Sequence, residues 1–514
     1  MRSPGETLTD PAAPAELAGR IAARAPRVVV VGDALLDGWL SGPARRLGRD
    51  GPVPVVELAE SRTAAGGAGN AAANLAALGA RTELVAVLGD DAGGAELREL
   101  LHAAGVGTQH CVIEPGRATA VKRRLLTAGQ PLARYDAGPT GPPRPDTLVA
   151  LVEGLEAAVA EPADAVVVAD YGLGALDGRV RAALSRLRPR IPLLVVDARA
   201  PDGWGALRPD VLTPSLQEAA ALIGVPEPPG TAHTDSGRAA WVLAHRAELT
   251  GAAGCGEVGG EVGGEVIVTV DVDGAVRLPA DPAVPAQRTA ACPGPESRAC
   301  GAGDTFTAAT AAARAAGISP EQALVLAQCA ADVVVAQDGT AVCTTGALTA
   351  RLAARDRGGL LAHRDLLAIV GEHRRRGSRI VFTNGCFDVL HRGHVAYLRQ
   401  ARALGDVLVV ALNDDDSVAR LKGPERPVNP LEDRAAVVGA IECVDLVTSF
   451  SQDTPAALLE AVRPDVYTKG GDYTPQMLPE TPIVERLGGE VRVLDYLSDH
   501  STSAIVGRIK AGRS

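Results

Sequence analysis

The chain reads as an α/β protein with two domains, each built on a parallel sheet, the first with a small β lid. Three observations predict this. From Arg27 to about Val342, apolar runs at 28–31, 165–169, 193–196 and 266–270 alternate with Ala- and Leu-rich helical stretches, the pattern of strands joined by crossover helices. A second series begins near Ser378, where the run 380–382 ends at Asn384-Gly385 and is followed by a helical period from His394. The length of 514 residues also exceeds what one hydrophobic core fills.

In chain order, residues 1–25 are rich in Ala and Pro without a continuous apolar core, so they are expected to be a disordered tail, neither signal peptide nor membrane span. The first domain is expected over 26–345. Inside it, the strand-like pieces 53–58, 119–126 and, beyond an Ala-Gly-Gln turn, 131–136 are candidates for the lid. The stretch 251–264 repeats Gly-Glu-Val-Gly and reads as a flexible surface insertion. A polar, Arg-rich linker is expected over 346–377, and the second domain over 378–514.

Composition narrows the function classes. A net charge of −11 and 3% aromatic residues argue against a nucleic-acid surface, which needs basic stripes and stacking rings. Eight cysteines without a CxxC pair suit a reducing cytoplasm rather than a disulfide scaffold. Lysine is scarce: only Lys122, Lys422, Lys469 and Lys510 occur among many arginines. A compact ammonium and a planar guanidinium are not interchangeable at a phosphate, so the first three, which fall inside motifs, mark candidate contacts.

Two segments carry the chemistry. Near the end of the first domain, Gly301-Ala302-Gly303-Asp304 leads into a helical run at 306–316. Small residues let backbone N–H groups close around a transferred γ-phosphate, and Asp304 is placed to take the proton of an attacking hydroxyl. In the second domain, His391 and His394, in the order His-Arg-Gly-His, fall at a strand-to-helix turn. Two imidazoles at a helix start can stabilise charge on a transferring α-phosphate; the rival readings are a surface pair or ligands of a structural metal. No Cys pair or third His with zinc spacing lies nearby, so no metal site is expected. Lys422 and Arg426 would neutralise a sugar phosphate or pyrophosphate. Asp414 ends a strand, as a ribose contact or an ordinary turn. Lys469-Gly470 begins a nucleotide-contacting loop, and Ser501-Thr502 is either a helix cap or a phosphate contact.

The second segment resembles the cytidylyl- and adenylyltransferase superfamily, whose (T/N)GxFD turn and HxGH motif are matched by Thr383, Asn384, Gly385, Phe387, Asp388, His391, Gly393 and His394. The first domain resembles the ribokinase/PfkB sugar kinases through Gly32-Asp33, Gly66-Gly67-Ala68-Gly69-Asn70 and Gly301 to Asp304. Together, residues 28–38, 51–58, 169–172, 421–430 and 469–473 are similar in order and spacing to bifunctional heptose-7-phosphate kinase/heptose-1-phosphate adenylyltransferases. The resemblance implies a ribokinase-like parallel sheet with its lid, then a Rossmann-like nucleotidyltransferase domain. It implies that Asp33, Gly66, Gly67 and Asn70 hold sugar hydroxyls, that Lys122 meets the sugar's phosphate and that Glu218 helps organise metal and nucleotide. ATP, Mg2+ and a monovalent cation in the kinase half follow, as do a separate heptose bisphosphate phosphatase, a homodimer and a cytoplasmic location.

Three positions depart from the family. Ser215 stands where an Asn is usual three residues before Glu218, Leu173 replaces a frequent Lys, and Arg298 replaces an Asp shortly before Gly301. They leave open an adenylyltransferase whose kinase-like half is only a scaffold. Cytidylyl transfer to a polyol phosphate is the other alternative.

Overall fold

The computed structural model describes residues 15–49, 51–139, 141–228, 237–258, 261–291, 300–337, 339–356, 360–361, 363–375, 377–441, 443–470, 474 and 477–494. They form two compact units, Met1–Leu352 and Ala353–Ser514.

The main sheet of the first unit has the strand order Gln287–Thr289, Ala275–Pro279, Glu265–Thr269, Val211–Leu212, Leu194–Ala198, Ala165–Asp170, Arg27–Gly32, Arg81–Val85. From Glu265–Thr269 to Arg81–Val85 all pairings are parallel, and the first two strands are an antiparallel extension. Its central strands are buried but for Asp170 at a strand end, as befits a sheet covered by helices on both faces. One covering layer includes Ala68–Ala77, Ala302–Ala315 and Pro320–Val335, and the other Pro145–Ala160 and Gly178–Leu187. Ala-rich helices can approach closely, which brings Ala68–Ala77 against Ala302–Ala315 and so Asn70 against Asp304.

A four-stranded lid has the order Gln130–Ala137, Val121–Thr127, Ala34–Ser41, Glu60–Gly67. Two of the expected pieces are in it. The third is not: Pro54–Val56 pairs instead with Ala44–Leu47 in a separate ribbon, and the lid takes Ala34–Ser41 and Glu60–Gly67 in its place. Ala34–Ser41 leaves the Gly32-Asp33 turn and Glu60–Gly67 runs into the Gly66-to-Asn70 turn, and neither has the alternation that marks a half-buried strand.

Three other expectations need correction. Within the tail expected to be disordered, Glu16–Arg24 is a helix whose Leu17, Ala18 and Ile21 are buried in the first unit's core; a short apolar stripe suffices once a core receives it. The expected linker 346–377 carries two helices and, between them, the short strand Leu360–Leu361. Thr345–Asp356 buries Leu348 and Leu352 in the first unit's core, and His363–Arg375 buries Leu366 and Val370 in the second's. Within the glycine-rich stretch, Gly256–Val258 pairs with Glu261–Gly263 as an antiparallel ribbon.

The second unit has a six-stranded, wholly parallel sheet ordered Leu360–Leu361, Leu446–Phe450, Val407–Asn413, Ile380–Gly385, Val466–Gly470, Glu490–Leu494. The chain winds one way from Ile380–Gly385 and then the other way to Val466–Gly470. A crevice opens at such a switch, beyond the carboxyl ends of the two strands. Asn384 and Lys469 stand at those ends. Among the described residues no helix is long and apolar enough to cross a membrane.

Candidate active sites

In the first unit, Gly301 takes φ +81° and starts the helix Ala302–Ala315. A Cβ there would lie 2.6 Å from Nδ2 of Asn70, so only glycine fits. The first N–H groups of the helix lack intrahelical acceptors and face the loop end, where a phosphate can take them. Asp304 sits in that first turn, 6% exposed. Burial raises its pKa to about 6, while donors from Tyr171 and Asn70 pull it back by favouring the anion. The Tyr171 hydroxyl donates to Oδ1 of Asp304, and Nδ2 of Asn70 donates to Oδ2 at 2.8 Å. Asn70 is itself held by Asn74, whose Nδ2 donates to its Oδ1 at 3.0 Å.

Asp33 is buried, and its Oδ2 accepts the N–H groups of Tyr171 at 3.1 Å and Leu173 at 2.9 Å. Burial raises its pKa too. Gly67 adopts φ +59°, and a Cβ there would meet the Asp33 carbonyl at 2.5 Å; at Gly66 it would meet Asp37 Oδ2 at 2.6 Å. The glycine pair thus lets the lid strand pass close to the Asp33 backbone and the Asp37 carboxylate. The Lys122 ammonium lies 5.1 Å from the centre of the Tyr171 ring, and the Arg199 guanidinium 5.6 Å; Lys122 is held below its ordinary pKa by burial and then by Arg199.

The structure therefore brings Asp33, Gly66, Gly67, Asn70, Lys122, Gly301, Ala302, Gly303 and Asp304 to one end of the sheet. Glu218 lies in the same unit in a capping box: Oε2 accepts from the backbone N–H and hydroxyl of Ser215, both at 2.8 Å, and Ser215 Oγ accepts the Glu218 N–H. Serine caps a helix as well as asparagine, so this departure leaves the glutamate anchored. Arg298 lies outside the described residues.

Sequence reasoning gave no role to Tyr171, Arg124, Asp37 or Asp197. Arg124 donates to Asp37 at 3.1 Å and to the Cys300 sulfur at 3.0 Å, tying the lid to the start of the phosphate loop. Asp197 is held far above its ordinary pKa by burial and by the charges of Asp304 and Glu218. Only Tyr171 had a local signal, its place between a strand and two glycines.

The second unit's site is a pocket of about 140 Å³ lined by Asn384, Gly385, Cys386, Phe387, Asp388, His394, Tyr397, Lys422, Lys469 and Gly470. His391 caps the helix Arg392–Arg402: its Nδ1 accepts the Gly393 N–H at 3.2 Å, and Nδ1 of His394 accepts the His391 N–H at 3.4 Å. With both Nδ1 atoms accepting, each neutral ring carries its proton on Nε2. Each ring then offers an Nε2–H donor. Burial, then the charges of His391 and Lys422, push the His394 pKa down to about 4. The rings lie 4.0 Å apart, and Phe387, at φ +44°, packs 5.3 Å from His394 with its ring tilted by 50°.

Lys469 donates to Asn384 Oδ1 at 3.0 Å, and the Tyr467 hydroxyl donates to the same atom at 2.7 Å. Lysine stays below its usual pKa there because it is buried. Arg426 is placed differently from its sequence reading. Its guanidinium is paired with Asp388, whose Oδ1 also accepts the N–H groups of Val428 at 2.7 Å and Asn429 at 3.2 Å. Asp388 thus pins the 426–429 loop and engages the Arg426 guanidinium. Asp414 accepts the Ser417 N–H at 2.8 Å and caps a helix, so the turn reading accounts for its observed bond. Ser501 and Thr502 lie outside the described residues. Sequence reasoning missed Arg434, buried and donating to the carbonyls of Asn429 and Cys386 and to Asp415. An arginine inside a helical run carries no motif signal.

Residues 25–346 match the pfkB family of carbohydrate kinases, and residues 382–506 the cytidylyltransferase-like family. The bifunctional protein HldE of Halorhodospira halophila is 41% identical over 492 residues, covering 94% of this chain and 97% of that protein. The bifunctional protein HldE of Alcanivorax borkumensis is 39% identical over 492 residues with the same coverage. Among solved structures, phosphofructokinase-2 of Escherichia coli in complex with substrates and products is similar with a TM-score of 0.50 at 17% identity, over 64% of this chain and 98% of its own; this likeness concerns the fold alone. With a phosphate loop and buried carboxylate in one unit, a reciprocally capped histidine pair in the other, and relatives matching nearly the whole length, the chain belongs to the family of bifunctional HldE proteins.

Proposed function

We propose that the chain makes an ADP-heptose in two separate steps, the first assigned to residues 26–345 and the second to 378–514. In the first, ATP phosphorylates D-glycero-D-manno-heptose 7-phosphate at C1. The C1 oxygen attacks the γ-phosphorus, Asp304 takes its proton, the bond to the β,γ-bridging oxygen breaks to release ADP, and the N–H groups at Gly301 to Gly303 receive charge on the transferring group. In the second, an oxygen of heptose 1-phosphate attacks the α-phosphorus of ATP and pyrophosphate leaves. The Nε2–H groups of His391 and His394 donate to the α-phosphate oxygens, while Lys422 and Lys469 offset the phosphate charge. The observation that carries this reading is the presence in one chain of a buried carboxylate at a helix start beside a sugar-side carboxylate, and of two tautomer-fixed imidazole donors.

Mg2+ accompanies ATP in both steps, and Glu218, anchored through one oxygen by Ser215, is the kinase residue suited to organise it. A monovalent cation beside the phosphate loop completes the kinase half. A separate phosphatase must remove the C7 phosphate between the steps, so neither site hands its product directly to the other. A homodimer is supported by the lid, whose outer strand Gln130–Ala137 is exposed along its whole length with Leu132 and Tyr135 on it; unpaired edges invite partners. The cytoplasm is the compartment that supplies ATP and keeps the cysteines reduced.

A panel of sugar phosphates with each nucleoside triphosphate, read as ADP and as pyrophosphate, tests the assignment. ADP formation with heptose 7-phosphate and pyrophosphate with heptose 1-phosphate plus ATP are expected. Pyrophosphate only from CTP would replace adenylyl by cytidylyl transfer, and no ADP with any sugar would reduce the first unit to a scaffold. Exchanging K+ for tetramethylammonium tests the cation, and light scattering the dimer.

A further inference from the structure

We propose that Tyr171 guards the kinase base: its phenol occupies the place of the attacking sugar hydroxyl at Asp304 until sugar binds, which keeps the site from hydrolysing ATP. The inference rests on the kinase reading of the first unit. Any attacking hydroxyl must donate to Asp304, and the carboxylate is already engaged on both oxygens, by Tyr171 on Oδ1 and Asn70 on Oδ2. At 6% exposure it has little open surface for a third donor. One of the two must give way.

The surroundings identify which. Asn70 is braced from behind: Asn74 Nδ2 donates to both its side-chain and backbone oxygens at 3.0 Å, and the Cys343 N–H donates to Asn74 at 2.9 Å. Tyr171 instead stands on the short loop after Ala165–Asp170, followed by Gly172 at φ +72° and Gly174 at φ +89°. That loop hangs from Asp33, whose Oδ2 accepts the N–H groups of both Tyr171 and Leu173. Asp33 is the carboxylate expected to receive sugar hydroxyls. A sugar donating to it shares the negative charge that those two amides hold on to and so weakens the grip on the loop that holds Tyr171 on the base. Sugar arrival and release of Asp304 are thereby coupled through one carboxylate. The Lys122 and Arg199 cations resting by the Tyr171 ring would be drawn by the substrate's own phosphate, in the same direction.

Without the guard, water can take the vacated place. Its oxygen bonds to the γ-phosphorus, its proton passes to Asp304, and the bond to the β,γ-bridging oxygen breaks, leaving ADP and inorganic phosphate.

The test uses the full chain with Tyr171→Phe, which keeps the ring and removes the hydroxyl. Sugar-independent ADP release from MgATP should rise roughly ten-fold or more, as expected when a general base gains a water. The rise should vanish in Tyr171→Phe/Asp304→Asn, and with sugar phosphate present the variant should form more ADP than sugar 1-phosphate. Wild-type levels of sugar-free ADP release in a variant that still phosphorylates sugar would overturn the proposal. A wild type that phosphorylates no sugar phosphate sinks the kinase reading alone if Tyr171→Phe still shows Asp304-dependent hydrolysis, and sinks both if it does not. Should the variant fail to fold, the wild type is assayed with a 1,5-anhydro sugar phosphate, which binds Asp33 but offers no acceptor hydroxyl. Stimulated ATP hydrolysis supports the guard, and unchanged hydrolysis overturns it.

Discussion

Asp304 in the first unit is buried and His394 in the second half-buried, and desolvation drives each toward its neutral form: the carboxyl up to about 6, the imidazole down to about 4. The consequences are opposite. The base proposed for the first unit must be charged to work, and the neutral donors Asn70 and Tyr171 at Asp304 partly restore the anion. His394 can donate while neutral, so in the second unit desolvation acts with the proposed role, and reciprocal backbone bonds fix both tautomers. One fold class thus supports two phosphate chemistries through the sign of the group that burial silences.

The widest separation between the units should come from Asp304→Asn, which leaves an amide unable to accept a proton. ADP formation from sugar phosphate should fall by about 10²- to 10⁴-fold, with pyrophosphate release unchanged. Equal loss of both activities would break the division of labour.

His391→Ala and His394→Ala reverse the pattern, each costing on the order of 3 kcal/mol in transfer, like other lost transition-state donors. Pyrophosphate release should drop while ADP formation persists; wild-type release in both variants removes the histidines from the chemistry.

Acid sharpens the same comparison without mutation. Asp304, raised to about 6, gains its proton as pH falls through that value, so the kinase rate falls there. His394, depressed to about 4, stays neutral until lower pH, where protonation of Nδ1 would break the bond from the His391 N–H. Between these values transfer should outlast phosphorylation, and parallel acid limbs in the two assays would contradict the electrostatic contrast.

A smaller effect is expected from Lys469→Arg and Lys422→Arg, about ten-fold in transfer, since a guanidinium cannot reproduce a compact ammonium contact. Lys469 meets Asn384 in a space shared with Tyr467. Lys510→Arg should be silent, and three equal responses would leave lysine scarcity without meaning. The smallest change is Ser215→Asn, which should alter the unfolding midpoint by less than the equivalent of about 0.5 kcal/mol because both residues cap helices equally well. A large gain in kinase rate would instead show that the family's amide acts on the nucleotide.

Much of this molecule was legible in its sequence because short-range chemistry has short-range signals. Apolar runs marked the central strands, small residues marked the phosphate loop at Gly301 to Gly303, and the spacing of His391 and His394 placed both at a helix start. What the sequence left undetermined was every relation between distant segments. Nothing near Arg426 says that Asp388 will claim it, nothing near Glu16 says that a core will receive Leu17 and Ile21, and Arg434 gives no local hint of holding Cys386 and Asn429 together. Tyr171 and Asp304 are far apart in the chain, and their hydrogen bond exists because parallel strands and their crossover helices end at one edge of a sheet. Local periodicity is set by a residue's neighbours in sequence. Desolvation and charge pairing depend on neighbours in space, which only the folded chain supplies.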